Sequence, residues 1–174
     1  MKRHSKSWLL KHTLEIATVA LAIATVWLAV ETKRGLSKTI QVNSWIEIEK
    51  RFDSPEMKQR RAALAAQLDP YVPGKVDDSK LDVLDLFDDV GALWKQGFID
   101  EKLTRSSFSW YVNDWWAASK DYIADERKAD GDSSEYAEFE YLATAMRSAD
   151  PTITTNDVRD FLASEKRLAE KPQK

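Results

Sequence analysis

Fifteen consecutive residues, Ile16 to Val30 (IATVALAIATVWLAV), carry no charge, no Gly and no Pro. A helix rises about 1.5 Å per residue and a bilayer's hydrocarbon core is about 30 Å thick, so a span needs roughly 20 residues. The run lengthens to Trp8 because Leu9, Leu10 and Leu14 are apolar. Lys11 and Glu15 are one turn apart and can pair, while the lysine stem reaches toward the surface. Trp8 and Trp27 then lie about 28 Å apart along the axis, a spacing that suits aromatic residues at the two interfaces. The pattern predicts one N-terminal transmembrane helix, anchored by Trp8, Ile16, Val19, Ile23, Val26, Trp27 and Val30. A buried core helix is the poorer reading, because the run has basic flanks and an N-terminal position. A cleaved signal peptide is a stronger rival, but its candidate sites, Ala20-Leu21-Ala22 and Ala22-Ile23-Ala24, fall inside the run rather than after it.

Charge follows a gradient away from this segment. Residues 1–30 hold four basic residues and one acid, net +3, and residues 31–61 hold eight and five, again +3. The remaining residues hold fourteen basic and twenty-three acidic, net -9, and the three sums give the overall -3. Anionic lipid headgroups would favour that distribution. Four Lys/Arg lie near each end of the span, so the positive-inside rule assigns no orientation. The domain is placed on the cytoplasmic side as a working expectation. Thr18, Ala22, Thr25 and Ala29 form a stripe of small residues on one face, a candidate surface for self-association or for a partner's membrane helix.

Five Gly, five Pro and abundant Ala, Leu, Glu, Lys and Arg favour helices beyond the anchor. The expected fold is all-α: tail and anchor over 1–34, then a compact multi-helix soluble domain over 35–174. A juxtamembrane helix, about 37–52, takes its apolar spacing from Ile40, Trp45, Ile48 and Phe52. Asp53-Ser54-Pro55-Glu56 reads as a cap and first turn, and that helix reaches Leu68 with Met57, Arg61, Leu64 and Leu68 near one side. From about Ser79 to Gly97, Val83, Phe87, Val90, Gly91, Trp94 and Phe98 share an arc. Asp78, Asp82, Asp85 and Asp89 lie almost opposite them. Asp100 is the next expected N-cap, for a helix to about Ala129 that buries Phe108, Tyr111, Val112, Trp115, Ala118 and Tyr122. Gly131 ends it, and a restart at Ser133 or Ser134 leads to Tyr136, Phe139, Leu142, Ala143 and Met146. A last helix, capped near Thr154, carries Val158, Phe161, Leu162 and Leu168.

This order of features resembles an uncharacterised bacterial family of short, single-pass membrane-anchored helical proteins, catalogued as a domain of unknown function. The resemblance is carried by Phe52-Asp53-Ser54-Pro55-Glu56-Met57 before Arg60-Arg61, by Phe87-Asp88-Asp89-Val90-Gly91 and by Gly97-Phe98-Ile99-Asp100-Glu101. Phe108 to Trp116 and Phe139-Glu140-Tyr141-Leu142 extend it, so it covers most of residues 10–145. It implies a fold and a tether, and no reaction.

Chemistry is hard to find in the remaining residues. There is no Cys, which removes disulfides, thiol nucleophiles and thiolate metal sites. His4 and His12 sit in the basic tail or at the membrane edge, and Ser106, Ser107 and Ser109 lack a nucleophile-elbow context. No phosphate-binding loop, dinucleotide fingerprint or zinc-protease motif occurs. The aspartate stripe reads as a solvated helix face, because ligands for a hard cation must converge from several directions. Asp88 lies nearer the apolar boundary, where Arg105 or Lys102 could pair with it. Lys50, Arg51, Lys58, Arg60 and Arg61 read as a lipid-headgroup-facing or solvated surface. No catalytic residue, cofactor or metal site is expected, and the mixed charge argues against nucleic acid as a partner.

Trp110, Tyr111, Trp115 and Trp116 are the most unusual cluster. Tyr111 and Trp115 belong to the apolar face, whereas Trp110 and Trp116 flank its edges, with Arg105 near Trp116. Arg105, Trp110 and Trp116 are therefore the candidate partner-binding residues. The sequence thus points to a membrane-tethered helical interaction or regulatory module whose partners are the lipid bilayer and a protein. The alternatives are an accessory subunit of a membrane complex and a membrane-bound enzyme with an unrecognised carboxylate site.

Overall fold

Helix starts and stops fall where the local chemistry puts them. The computed structural model describes the backbone of residues 4–77, 81–147 and 153–170, and side chains within those ranges except at 4–20, 22, 34 and 170. Six helices are present among these residues: α1 (His4–Phe52), α2 (Pro55–Leu68), α3 (Asp82–Lys95), α4 (Glu101–Asp130), α5 (Ala137–Met146) and α6 (Thr155–Lys166). A short 3-10 turn, Arg167–Glu170, follows. The described residues form no strand, only an isolated bridge between Leu68 and Tyr71. The fold class is all-α.

The chain divides into two compact units, Met1–Ile40 and Gln41–Lys174. The first is helical, and its described apolar side chains are uncovered: Leu21, Ile23, Val26, Trp27, Leu28 and Val30 are 43% to 70% exposed. Among the described residues, no helix is long and apolar enough to cross a membrane. The expected anchor falls partly on undescribed side chains. Trp8, Ile16, Thr18, Val19 and Ala22 all lie outside the described residues.

In the second unit, α3 packs against α5, α2 packs against α6, and the longer α4 touches all four. The last turns of α1 add Trp45, Ile48 and Phe52 to the core. Phe52 is a hub, with ring centroids 4.8 Å from Phe108, 4.7 Å from Tyr111 and 6.0 Å from Phe87. Phe87 in turn stacks on Phe139 at 5.1 Å, which joins α3 to α5 through rings. Such pairs contribute beyond the apolar area they bury.

Three caps are those the sequence announces. Ser54 accepts a hydrogen bond from Met57 N at 3.1 Å, and Asp100 accepts one from Leu103 N at 2.8 Å. Thr154 and Asp157 form a reciprocal capping box at the start of α6. Each satisfies N–H groups that the first turn leaves without carbonyl partners. Gly131 closes α4 in the left-handed region, which suits a residue without Cβ.

Elsewhere the structure departs from expectation. The restart after Gly131 is not at Ser133 or Ser134: α5 begins at Ala137, behind Tyr136 at φ 52°. A tyrosine in that region is held by tertiary contacts, here burial of its ring and a hydrogen bond with Asp85. Phe98 falls after the end of α3 and is exposed rather than part of its buried arc, and Ile40 is exposed as well. Gly91 explains the closeness of α3 and α5. A Cβ at that position would overlap the backbone carbonyl of Glu138.

Candidate functional site

Because α4 is the central helix, it buries a broad face, Thr104, Phe108, Val112, Trp115, Ser119, Tyr122 and Ile123, and, off to one side of that face, Asp114. Two of these are polar groups whose hydroxyls bond back to their own helix. Thr104 Oγ1 donates to Asp100 O at 2.7 Å, and Ser119 Oγ to Trp115 O at 2.7 Å. Asp114 has no such outlet, and it lies on the side of α4 that meets α6.

Beneath that side, Arg61 of α2 and Glu165 of α6 form a buried, two-pronged ion pair. Arg61 Nε donates to Glu165 Oε2 at 2.6 Å and Nη2 donates to Oε1 at 2.7 Å. Arg61 is only 2% exposed. Its guanidinium lies 3.9 Å from the Phe52 ring centre and 5.1 Å from that of Tyr111. A charge this deep requires a planar, bidentate partner and ring faces that attract cations.

Aromatic contacts continue outward from Tyr111. Trp110 lies 4.7 Å from Tyr111 and meets Phe161 of α6 edge-on at 5.5 Å, and Trp115 meets Phe161 at 5.3 Å. Trp115 is fully buried, whereas Trp110 remains 56% exposed. One turn beyond Trp110, Asp114 is 6% exposed, and its Oδ2 is buried without a hydrogen-bond partner. Burial and then the nearby charge of Asp157 push its carboxyl up to about 6. Asp157 shifts the opposite way, held below the usual range by hydrogen bonds from Thr154. The seam between α4 and α6 thus combines an exposed indole, an uncompensated buried carboxylate and a second carboxylate that stays charged.

The three residues singled out as partner-binding candidates are not brought together. Trp110 faces α6. Trp116, half-buried, meets Phe139 of α5 edge-on at 5.2 Å. Arg105 donates to Ala145 O at 3.1 Å and to Glu101 Oε1 at 3.2 Å, with its guanidinium 5.5 Å from the Trp94 ring centre. Trp116 and Arg105 are therefore committed to contacts within the fold, and of the three candidates it is Trp110 that presents an open ring.

The aspartate stripe is solvated at Asp85 and Asp89, as its spacing implied, and it also makes ion pairs and a hydrogen bond across the fold. Asp82 pairs with Arg60, Asp89 with Arg51 at 2.9 Å, and Asp85 hydrogen-bonds Tyr136. Asp78 lies outside the described residues. The basic run is consumed the same way: Lys58 pairs with Asp53 at 3.3 Å, and Arg61 is buried. Asp88 pairs with neither Arg105 nor Lys102. Its Oδ1 accepts from Phe139 N at 2.9 Å, which caps the first turn of α5. Among the described residues no group of His, Asp or Glu has an arrangement that could hold a metal ion.

The motif Phe87-Asp88-Asp89-Val90-Gly91 is consequently structural: a ring stack, a cap, an ion pair and a close helix approach. A family model described as Domain of unknown function (DUF4760) matches residues 12–146. The chain belongs to the DUF4760 family. No curated protein and no solved structure matches it. The DUF4760 match contains the apolar run and Trp110, Asp114 and Arg61, and it stops at the end of α5. Asp157, Phe161 and Glu165, which complete the α4–α6 seam, lie beyond it.

Sequence reasoning missed Asp114 and the partner of Arg61. Both left a trace. Arg61 shares the stripe of Met57, Leu64 and Leu68, and Asp114 lies between Trp110 and Ala118 at one-turn spacings. A charged residue inside an apolar stripe signals a buried group that needs a partner.

Proposed function

We propose that this DUF4760 chain is a membrane-tethered helical interaction module. The observation that carries the reading is the set of exposed apolar side chains Leu21, Ile23, Val26, Trp27, Leu28 and Val30, within a stretch of α1 that holds no charged residue. A helix that is apolar all round suits lipid or a protein interior rather than water. Thr25 fits the same environment, because its hydroxyl donates to Leu21 O at 2.8 Å and adds no unsatisfied donor. Thr25 and Ala29 also offer small exposed positions for a second helix, which supports packing within a membrane complex. The binding surface is then Trp110 and its surroundings, held at the bilayer where confinement raises effective concentration.

Alkaline carbonate extraction of membranes from cells expressing the full chain tests the tether. Retention in the pellet is expected, and release into the supernatant overturns it. A cysteine introduced by Ser133→Cys, in the exposed α4–α5 connection of a chain without other cysteines, reports the side. Protection from an impermeant maleimide until lysis is the result expected for a cytoplasmic domain. Labelling of intact cells with a permeabilised outer barrier overturns that placement.

A further inference from the structure

We infer that the α4–α6 seam is a docking slot for one basic side chain, arginine or lysine, of a protein partner. In it, Asp114 and Asp157 supply the negative charge and the Trp110 ring forms the wall. The inference rests on the interaction-module reading and gives that module's surface a chemistry.

Burial, charge and ring exposure converge on the seam. Asp114 is more than nine-tenths buried, yet its Oδ2 has no hydrogen-bond partner. Buried carboxylates are normally paired or hydrogen-bonded, and the exceptions concentrate at functional positions. The neighbouring charge is of the same sign: Asp157 lies in the first turn of α6 and acts on Asp114. The nearby cations are engaged elsewhere, Arg61 with Glu165, and Lys166 and Arg159 with Asp69. Trp110, one turn before Asp114, is fixed by Tyr111 and Phe161 and leaves most of its ring open.

The same protein already contains the filled version of this arrangement. Arg61 lies over the rings of Phe52 and Tyr111 while a carboxylate, Glu165, takes its N–H groups. The seam outside it offers a ring and carboxylates without the cation. Charge complementarity selects the occupant. Residues 62–174 carry fourteen basic and twenty-three acidic side chains, net -9, which attracts a basic partner over distance. The ring then favours a guanidinium or ammonium over a neutral group of the same shape.

The test follows the Trp110 indole N–H by NMR in the full chain held in zwitterionic detergent. The probes are the end-blocked tripeptide Gly-Arg-Gly and its citrulline analogue, which keeps the shape and lacks the charge. A saturable shift with the arginine peptide only is expected. It should weaken at least tenfold in Asp114→Asn and persist in Asp121→Asn, an exposed α4 position. Equal shifts with both peptides, no saturable shift, or unchanged binding in Asp114→Asn would each overturn the slot. Carbonate extraction involves no basic ligand, so the tether and the slot can fail separately.

Discussion

Asp114 illustrates how one unpaired group sets a pH dependence. Burial, reinforced by Asp157, raises its folded-state carboxyl from 3.8 to about 6. The sign follows from linkage. With the folded value above the unfolded one, its contribution to stability is fully present below about 4 and is lost as pH rises through about 6. Asp114→Asn removes the charge and keeps the shape, so it should stabilise the fold at pH 7.5 by about 1–2 kcal/mol. Urea unfolding between pH 5 and 7.5 measures this, and a slope unchanged by the substitution would contradict it. Arg61 behaves oppositely. Arg61→Met leaves Glu165 buried and unpaired and should cost about 3–5 kcal/mol, whereas adding Glu165→Leu should recover much of the loss. The denaturation midpoints of the single and double variants give that comparison. Neither group was legible as a pair from sequence, because Arg61 and Glu165 are 104 positions apart and no local pattern links such distant residues.

At the scale of elements, the helices were largely legible, because caps and periodicity are written within a few neighbouring residues. Ser54, Asp100 and Thr154 cap where the sequence places them, and the stripes of α2, α4 and α5 are buried as expected. What stayed hidden depends on contacts across the fold. Tyr136 takes a left-handed conformation because its hydroxyl meets Asp85 on another helix, so the start of α5 moves past the serines. The acidic stripe of α3 is exposed at Asp85 and Asp89 as read, but its ion pairs stayed hidden because the partners, Arg51 and Arg60, belong to α1 and α2. Gly91 yields a prediction at this scale. Gly91→Ala places a methyl against the Glu138 carbonyl and should force α3 from α5, lowering stability by about 1–3 kcal/mol. Thr154→Ala removes the cap of α6 and should lower it by about 1 kcal/mol. Thermal unfolding separates the two from silent substitutions.

For the whole molecule, the division at Ile40 and Gln41 carries its own expectation. Residues 41–174 contain all the buried hydrophobic side chains among the described residues, from Trp45 to Leu162. A chain of residues 41–174 should therefore keep the helical circular dichroism and urea midpoint of that unit while losing retention in carbonate-washed membranes. A collapsed midpoint would mean that residues 1–40 support the core. The apolar run of residues 16–30 was legible because it is a local property of the sequence. The α4–α6 seam was not, because Trp110 and Asp114 meet Phe161 and Asp157 only through the tertiary fold.

The Arg61–Glu165 pair also has a consequence in time. A ribosome adds about 5–20 residues per second, so roughly 5–20 s separate the appearance of the arginine from that of its carboxylate. Throughout that interval α2 has a guanidinium with no acid to receive it, and closing the interior around it would strand a charge. The native interior can therefore close around Arg61 only after Glu165 has been made. A nascent chain stalled before Glu165 would remain open and available to chaperones or proteases, whatever its earlier helices had already formed.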